Sequence, residues 1–395
     1  MKNIGIKVAC AIVLAVLLLS LPVSAQQVYE PRPSEKPSRY QKQQIRRKYG
    51  MFIHFGINTF NDTEWSDGSL PPGSYRPDTI DAAQWIKTAK DAGMRYVILV
   101  AKHHDGFCMW DSRYTDYDVA RSGNATDVVK AVARECRKRG IRLGLYYSLW
   151  DRKVNPDVQN PESDEAYNRY MLAQLDELMD ITSEYTRIVE FWFDGSWAKP
   201  SYRWPVREIY ETIKKREPQC QIGINWSIGQ DANPNDPDAP KESVNIKPDK
   251  QKEGDPIRYF PSDFRLGDPM LPADPDPKLF VHNGKKYYMP FESTVCISKR
   301  WFYHTSDTVY KSCGRTEGGL SACHGTGQYP DSERSSSKKR KDEAGRYRLA
   351  AKTEKSNRRE VGTPAQHFGV KGISASICIR KTGYGWKRRL WENNP

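Results

Sequence analysis

Between Tyr49 and Glu292 the chain alternates short, nearly continuous apolar runs with longer stretches in which apolar residues recur every three or four positions. Continuous runs bounded by turn residues read as buried strands, and the three-to-four spacing reads as amphipathic helix. The pattern predicts strands over Met51–Phe55, Tyr96–Ala101, Ile141–Tyr147, Ile188–Phe193 and Ile222–Trp226, and helices over Asp81–Ala92, Thr126–Lys138, Asp164–Glu184 and Pro205–Arg216. Within Thr126–Gly140, Val128, Val129, Val132 and Ala133 keep helical spacing, Thr126 can cap the start and Gly140 ends the element. Tyr170, Leu172, Leu175, Leu178, Met179 and Ile181 form a broad apolar face suited to packing on a sheet. Strand and helix in alternation build a parallel sheet with crossover helices.

A doubly wound open sheet and a closed barrel share that alternation, so the placement of polar residues has to separate them. An open sheet gathers its ligand groups near one switch point, whereas a barrel draws them from the ends of several strands. Here His54, His103-His104-Asp105, Tyr147, Asp194 and Asn225-Trp226 all fall at predicted strand ends, and no Gly-rich phosphate loop follows a strand. The expected fold is α/β, a (β/α)8-like, TIM-type barrel.

Composition changes this picture at the two termini. Lys2 and Lys7 precede an apolar run from Val8 to Leu21, and Val23-Ser24-Ala25 offers a small-residue cleavage site. That is the form of an export signal and is short for a membrane span. Residues 1–25 are therefore expected to be removed, with a periplasmic or extracellular mature chain and no membrane span. The net charge is +13, yet residues 311–395 hold 19 Lys and Arg against 8 Asp and Glu, so nearly all the excess is in the tail. The body gives no electrostatic reason to expect a nucleic-acid partner. The eight cysteines are scattered, without a CxxC pair or a dense framework, and read mostly as ordinary core or loop residues.

The candidate chemistry lies at strand ends. In Glu190-Phe191-Trp192-Phe193-Asp194-Gly195 a carboxylate directly follows an apolar strand, with Trp192 two residues earlier on the same face. A helix-capping Asp is the simplest use of an Asp-Gly pair, but an aromatic beside a carboxylate suits a sugar site. In Lys102-His103-His104-Asp105-Gly106-Phe107 the histidines could serve as metal ligands, structural groups or hydroxyl binders. Adjacent residues on extended backbone face opposite ways, which disfavours one shared metal ion, and no HExxH motif occurs. The absence of G-x-S-x-G leaves a carboxylate pair as the better chemistry: one to attack or activate water, one to protonate a leaving oxygen.

Together, Lys48-Tyr49-Gly50-Met51-Phe52-Ile53-His54-Phe55-Gly56, Glu64-Trp65, Lys102 to Phe107 with Trp110-Asp111, Gly144-Leu145-Tyr146-Tyr147-Ser148 and Trp192-Phe193-Asp194-Gly195 resemble the α-L-fucosidase family, glycoside hydrolase family 29. The motifs occur in the family's order and extend from about Tyr40 to Tyr310. The resemblance implies a (β/α)8-like barrel, retention of configuration, no metal or other cofactor, and a pocket for a terminal fucose of a fucosylated glycan. It further implies Asp194 as nucleophile and His54, His103 and His104 as binders of sugar hydroxyls, with Glu64, Trp65, Tyr147 and Trp192 shaping the pocket wall. For the general acid/base Glu292 is the first choice, with Asp268, Asp263 and Glu242 as alternatives. A noncatalytic fucose-binding barrel would keep the same pocket.

Residues 26–310 thus form the expected catalytic barrel, and residues 311–395 a basic, low-complexity tail. Ser335 to Arg359 is rich in Ser, Lys, Arg and Glu, a composition that buries little. A natural basic linker would have this composition too. A barrel, however, needs a last strand to remove its open edges, and the resembled family has there an apolar run ending in Asn and followed by prolines. Back-translating Gly327 to Ser336 and reading one nucleotide later permits Asp-Asn-Ile-Leu-Ile-Leu-Asn-Ala-Pro-Pro. The expectation is that a frameshift near Lys311 to Cys313 replaced the normal closing strand and everything after it.

Overall fold

A computed structural model describes residues 29–154, 160–232, 240–268, 270–296 and 298–306, and the backbone of strands at 312–314, 322–324 and 374–380. The expected export signal and most of the tail lie outside the described residues.

Seven parallel strands form the body: β1 (Tyr49–His54), β2 (Tyr96–Lys102), β3 (Arg142–Ser148), β4 (Ile188–Asp194), β5 (Gln221–Asn225), β6 (Phe264–Gly267) and β7 (Phe291–Cys296). Each pairs in parallel with the next in chain order. The barrel expectation holds. A regular (β/α)8 barrel has eight parallel strands; among the described residues there are seven, and the seam between β7 and β1 lacks a parallel strand. Backbone from β8 (Ser374–Arg380) crosses that seam antiparallel to both neighbours.

The first four crossovers carry α2 (Ala82–Asp91), α3 (Val128–Arg139), α4 (Pro161–Ser183) and α5 (Val206–Arg216), while α1 (Arg39–Arg46) precedes β1. Observed boundaries agree with the sequence pattern to within a few residues. The cap of α3 differs: Asp127, rather than Thr126, accepts the Lys130 amide, and Gly140 adopts the left-handed conformation that ends the helix. After β5 the described crossovers carry two-stranded ribbons, Gly229–Gln230 with Val244–Asn245 and Leu279–His282 with Lys285–Tyr288, in place of α-helices.

Strand residues are buried on both faces, as parallel sheets require. Ile53, Leu99, Leu145, Tyr147 and Phe193 face outward into a layer shared with Trp85, Ile86, Val129, Val132, Leu175 and Ile213 of the helices. Phe52, Ile98, Val100, Tyr146, Trp192, Phe264 and Leu266 fill the barrel interior. Helix α1 closes the N-terminal end of the barrel. Ser38 and Gln41 form a reciprocal capping box, and Gln41 Nε2 donates to the Asp263 and Tyr288 carbonyls at 2.7 Å each. Arg47 pairs with fully buried Glu190 at 3.0 Å. Cys108, Cys136, Cys220 and Cys296 are buried free thiols. No helix among the described residues is long and apolar enough to cross a membrane.

Candidate active site

Asp194 is the last residue of β4 and stands at the C-terminal mouth of the barrel. Its Oδ1 accepts from Trp197 Nε1 at 3.0 Å and Asn225 Nδ2 at 3.1 Å, and its Oδ2 accepts from the Tyr146 hydroxyl at 3.0 Å. Burial, then the Asp194 charge, raises the Tyr146 pKa, so that phenol remains a donor. Gly195 turns the chain out of the strand at φ +81°, and a Cβ there would stand 2.8 Å from Trp150 Cβ and 3.0 Å from Ser148 Oγ. Only glycine meets both demands.

One imidazole adjoins this carboxylate, and two more continue from it in ring contact. His104 Nε2 lies 3.6 Å from Asp194 Oδ2. The His103 ring is 4.3 Å from that of His104, stacks 5.6 Å from Tyr146 and meets Phe302 edge-on at 4.9 Å. The expectation that His103 and His104 face opposite ways therefore fails. Strand β2 ends at Lys102, and the Gly106 amide closes a turn onto the His103 carbonyl at 3.1 Å, so extended-strand alternation no longer applies. His54 ends β1, packed 4.8 Å from Phe52 and 5.2 Å from Trp301. Burial lowers the pKa of all three, which makes them neutral hydrogen-bonding groups at neutral pH. Nδ1 of His54 and of His103 is sealed from solvent without a hydrogen-bond partner among the described residues.

The His54 shift has a consequence for stability. Burial, with a smaller contribution from His104, takes its pKa from 6.5 to about 3. The unfolded chain binds this proton near pH 6.5 and the folded chain near pH 3, so stability from the neutral ring is present above pH 6.5 and lost on acidification below it. Between pH 7 and 5 the loss from this residue is about 2 kcal/mol. In urea unfolding, His54→Gln should lessen the stability decrease between pH 7 and 5 by about 2 kcal/mol relative to the unsubstituted chain. Equal pH dependence in both proteins counts against the buried neutral ring.

Aromatic faces line the mouth. Trp65 is 46% exposed and lies 5.4 Å from His104 and 5.6 Å from Trp197, while Trp150 is 5.4 Å from His104. Glu64 is held by the Trp301 amide at 2.7 Å. Trp192 is buried inside the barrel beneath Asp194, stacked 5.5 Å from Tyr146, and forms floor rather than wall. Tyr147 is not in the pocket. It points outward, donating to Gln174 at 2.7 Å beneath the Lys102 ammonium, and its neighbour Tyr146 faces inward instead. Strand parity accounts for the exchange, because Tyr146 pairs with Trp192, which shares the face of Asp194.

The structure also separates the four acid candidates. Glu292 sits inside the barrel near its N-terminal end, accepting from the hydroxyl of Tyr96, the first residue of β2, at 3.3 Å. It is not brought to Asp194, which ends its own strand. Position within the strand is the reason: Glu292 is the second residue of β7, and parallel strands present their C-terminal ends to the pocket. Asp263 precedes β6 at the same far end, where it accepts from Tyr210 at 2.9 Å, Lys214 at 2.8 Å and the Ile222 amide at 2.9 Å. Glu242 is exposed on the loop after β5. Asp268 directly follows β6 at the pocket end, with Oδ1 enclosed and unpartnered among the described residues. Burial raises its pKa strongly, and the charges of Asp194 and Glu64 add to the shift. Tyr146, Trp197, Trp150, Ser148 and Phe302 escaped the sequence reading. Strand parity could have found Tyr146; the others come from loops or need the tertiary packing. No group of three or more His, Cys, Asp or Glu suited to a metal occurs among the described residues.

The fold and site thus define a (β/α)8-like barrel with a strand-end carboxylate held by three donors at its mouth. The α-L-fucosidase family matches residues 71–315. The chain belongs to that family. α-L-Fucosidase 1 of Arabidopsis thaliana is 41% identical over 330 residues, covering 76% of this chain and 59% of that protein. Plasma α-L-fucosidase of Rattus norvegicus is 28% identical over 214 residues, 46% of each chain. A Bacteroides thetaiotaomicron crystal structure, described as that of a candidate α-L-fucosidase, superposes with TM-score 0.52 at 27% identity over 71% of this chain and 59% of its own. The chain thus spans about three-fifths of the Arabidopsis and Bacteroides relatives.

Proposed function

We propose that this chain is an exported, retaining α-L-fucosidase that releases terminal α-L-fucose from fucosylated glycans, with Asp194 as nucleophile and Asp268 as general acid/base. The observation that carries the reading is the second carboxyl. Asp268 stands at the mouth, where burial and the Asp194 charge favour its protonated form, and an acid of this kind beside a second carboxyl is what glycosidic cleavage requires. Asp194 Oδ2, with a single hydrogen-bond donor among the described residues, attacks the anomeric carbon as Asp268 gives its proton to the departing oxygen. Asp268 then takes a proton from water, which attacks the same carbon, frees Asp194 and releases fucose with its configuration retained. The neutral rings of His54, His103 and His104 supply hydrogen-bonding groups for sugar hydroxyls.

Asp268→Ala should lower turnover of a fucoside with a poor leaving group by about 10²- to 10⁴-fold. With an activated aryl fucoside the first step should survive and the second should limit. Added azide should then speed turnover and give the α-fucosyl azide. Unchanged kinetics in Asp268→Ala, with this pattern appearing in Glu242→Ala, would transfer the role to Glu242. Glu292→Ala is expected to act through stability.

The tail belongs to the same proposal. The family match stops at residue 315, within a few residues of the expected frameshift at Lys311 to Cys313, and the seam that a parallel strand would fill lies between β7 and β1. Both support residues 311–395 as a frame-shifted replacement of the native C-terminal part. Residues 1–25 are read as the export signal, which sends the mature chain to the periplasm or outside the cell.

A further inference from the structure

We propose that Ser148 is a positioning residue that holds His104 as the Nδ1-protonated imidazole, leaving Nε2 as a lone-pair acceptor beside the nucleophile. The inference rests on the assignment of Asp194 above. Ser148 Oγ lies 2.5 Å from the Trp150 carbonyl oxygen and 2.6 Å from His104 Nδ1. Each short contact needs a proton between its two atoms, and the hydroxyl has one. A carbonyl oxygen can only accept, so the Ser148 proton goes to Trp150. The proton on the other contact must come from His104 Nδ1.

A neutral imidazole carries one N–H, so Nε2 is then bare. Burial disfavours a second proton, the Asp194 charge opposes that effect, and Arg152 supports it, the net result being a lowered pKa. The 3.6 Å separation of Nε2 from Asp194 Oδ2 exceeds a hydrogen bond, as expected for two facing acceptors. An Nε2–H here would donate to Oδ2 and occupy the lone pair that attacks the sugar. The bare nitrogen leaves that oxygen with the Tyr146 hydroxyl alone among the described residues and can accept the proton of a substrate hydroxyl.

The backbone keeps the two residues in one frame. Ser148 is the register partner of Asp194, and the Leu149 amide donates to the Asp194 carbonyl at 2.7 Å. Gly195 leaves room for Ser148, since a Cβ there would stand 3.0 Å from its Oγ.

The direct test is the tautomer of His104 in the unliganded protein, read by long-range ¹H–¹⁵N correlation on ¹⁵N-histidine-labelled chain and assigned by loss of its signals in His104→Gln. The expected result is a protonated Nδ1 and a bare Nε2. Protonated Nε2 in the unsubstituted chain overturns the proposal whatever the catalytic outcome, and needs no folded Ser148 variant. In Ser148→Ala the Nε2–H form should become populated, and kcat/KM for an aryl fucoside should fall about tenfold, mainly through kcat. An unchanged tautomer in a folded Ser148→Ala protein would also overturn it. A correct tautomer with no turnover on any fucoside, in the chain whose residues from Lys311 onward have been replaced by the product of the shifted frame, would instead count against the fucosidase reading.

Discussion

Asp194→Ala should abolish release of an aryl α-L-fucoside, with a loss on the order of 10⁴-fold or more in any form of the chain that turns over. The physical reason is the loss of the covalent route: without the carboxylate, no group of the pocket forms the glycosyl bond that divides the reaction into two steps. The three donors that serve it, Trp197, Asn225 and Tyr146, remain directed at the vacated space. A small anion should therefore bind there. Azide is expected to restore part of the rate by attacking the anomeric carbon itself, and because it takes one displacement rather than two, the product should be the β-fucosyl azide. The opposite anomer expected from Asp268→Ala gives the two carboxyls separate signatures. Full activity in Asp194→Ala would sink the nucleophile assignment, and turnover without azide-dependent product would weaken it.

The second large effect concerns the tail. Replacing residues from Lys311 onward with the product of the frame one nucleotide later should raise the thermal midpoint by at least about 10 °C and bring fucosidase turnover to a chain expected to have little as written. The shifted reading permits Asp-Asn-Ile-Leu-Ile-Leu-Asn-Ala-Pro-Pro, an apolar strand followed by prolines that stop it. Each large apolar side chain moved from water into the seam contributes about 1.5 to 3 kcal/mol, and a parallel eighth strand would pair the edges of both β1 and β7. The competing arrangement is the antiparallel pairing of Ser374–Arg380 with those same strands. Resequencing of the gene together with hydrogen exchange separates the two. A confirmed reading frame, with amides of 374–380 protected as strongly as those of β1, rules out the frameshift.

Much of the architecture is legible in the sequence, because it follows from local periodicity. The strands and helices from Met51 to Arg216 announce themselves through apolar spacing, and polar residues at successive strand ends favour a barrel over an open sheet. Asp194 was legible for the same reason, since a carboxylate closing a run as apolar as Phe191-Trp192-Phe193 has few structural uses. What sequence alone left undecided depends on which face a residue presents and at which end of its strand it lies. Tyr146 and Tyr147 are adjacent and alike in composition, yet only barrel register sends the first to Asp194 and the second to Gln174. His103 and His104 share the pocket because β2 ends one residue before them and a turn begins. Glu292 and Asp268 are both acids on late strands. Glu292 enters β7 near its start, at the closed end, whereas Asp268 leaves β6 at the mouth. The short contact of Ser148 with His104 joins the end of β3 to the turn after β2, which no local spacing connects. Composition and periodicity act over a few residues along the chain, so they determined the elements. Strand register and loop packing act between distant segments, and these selected which side chains meet Asp194.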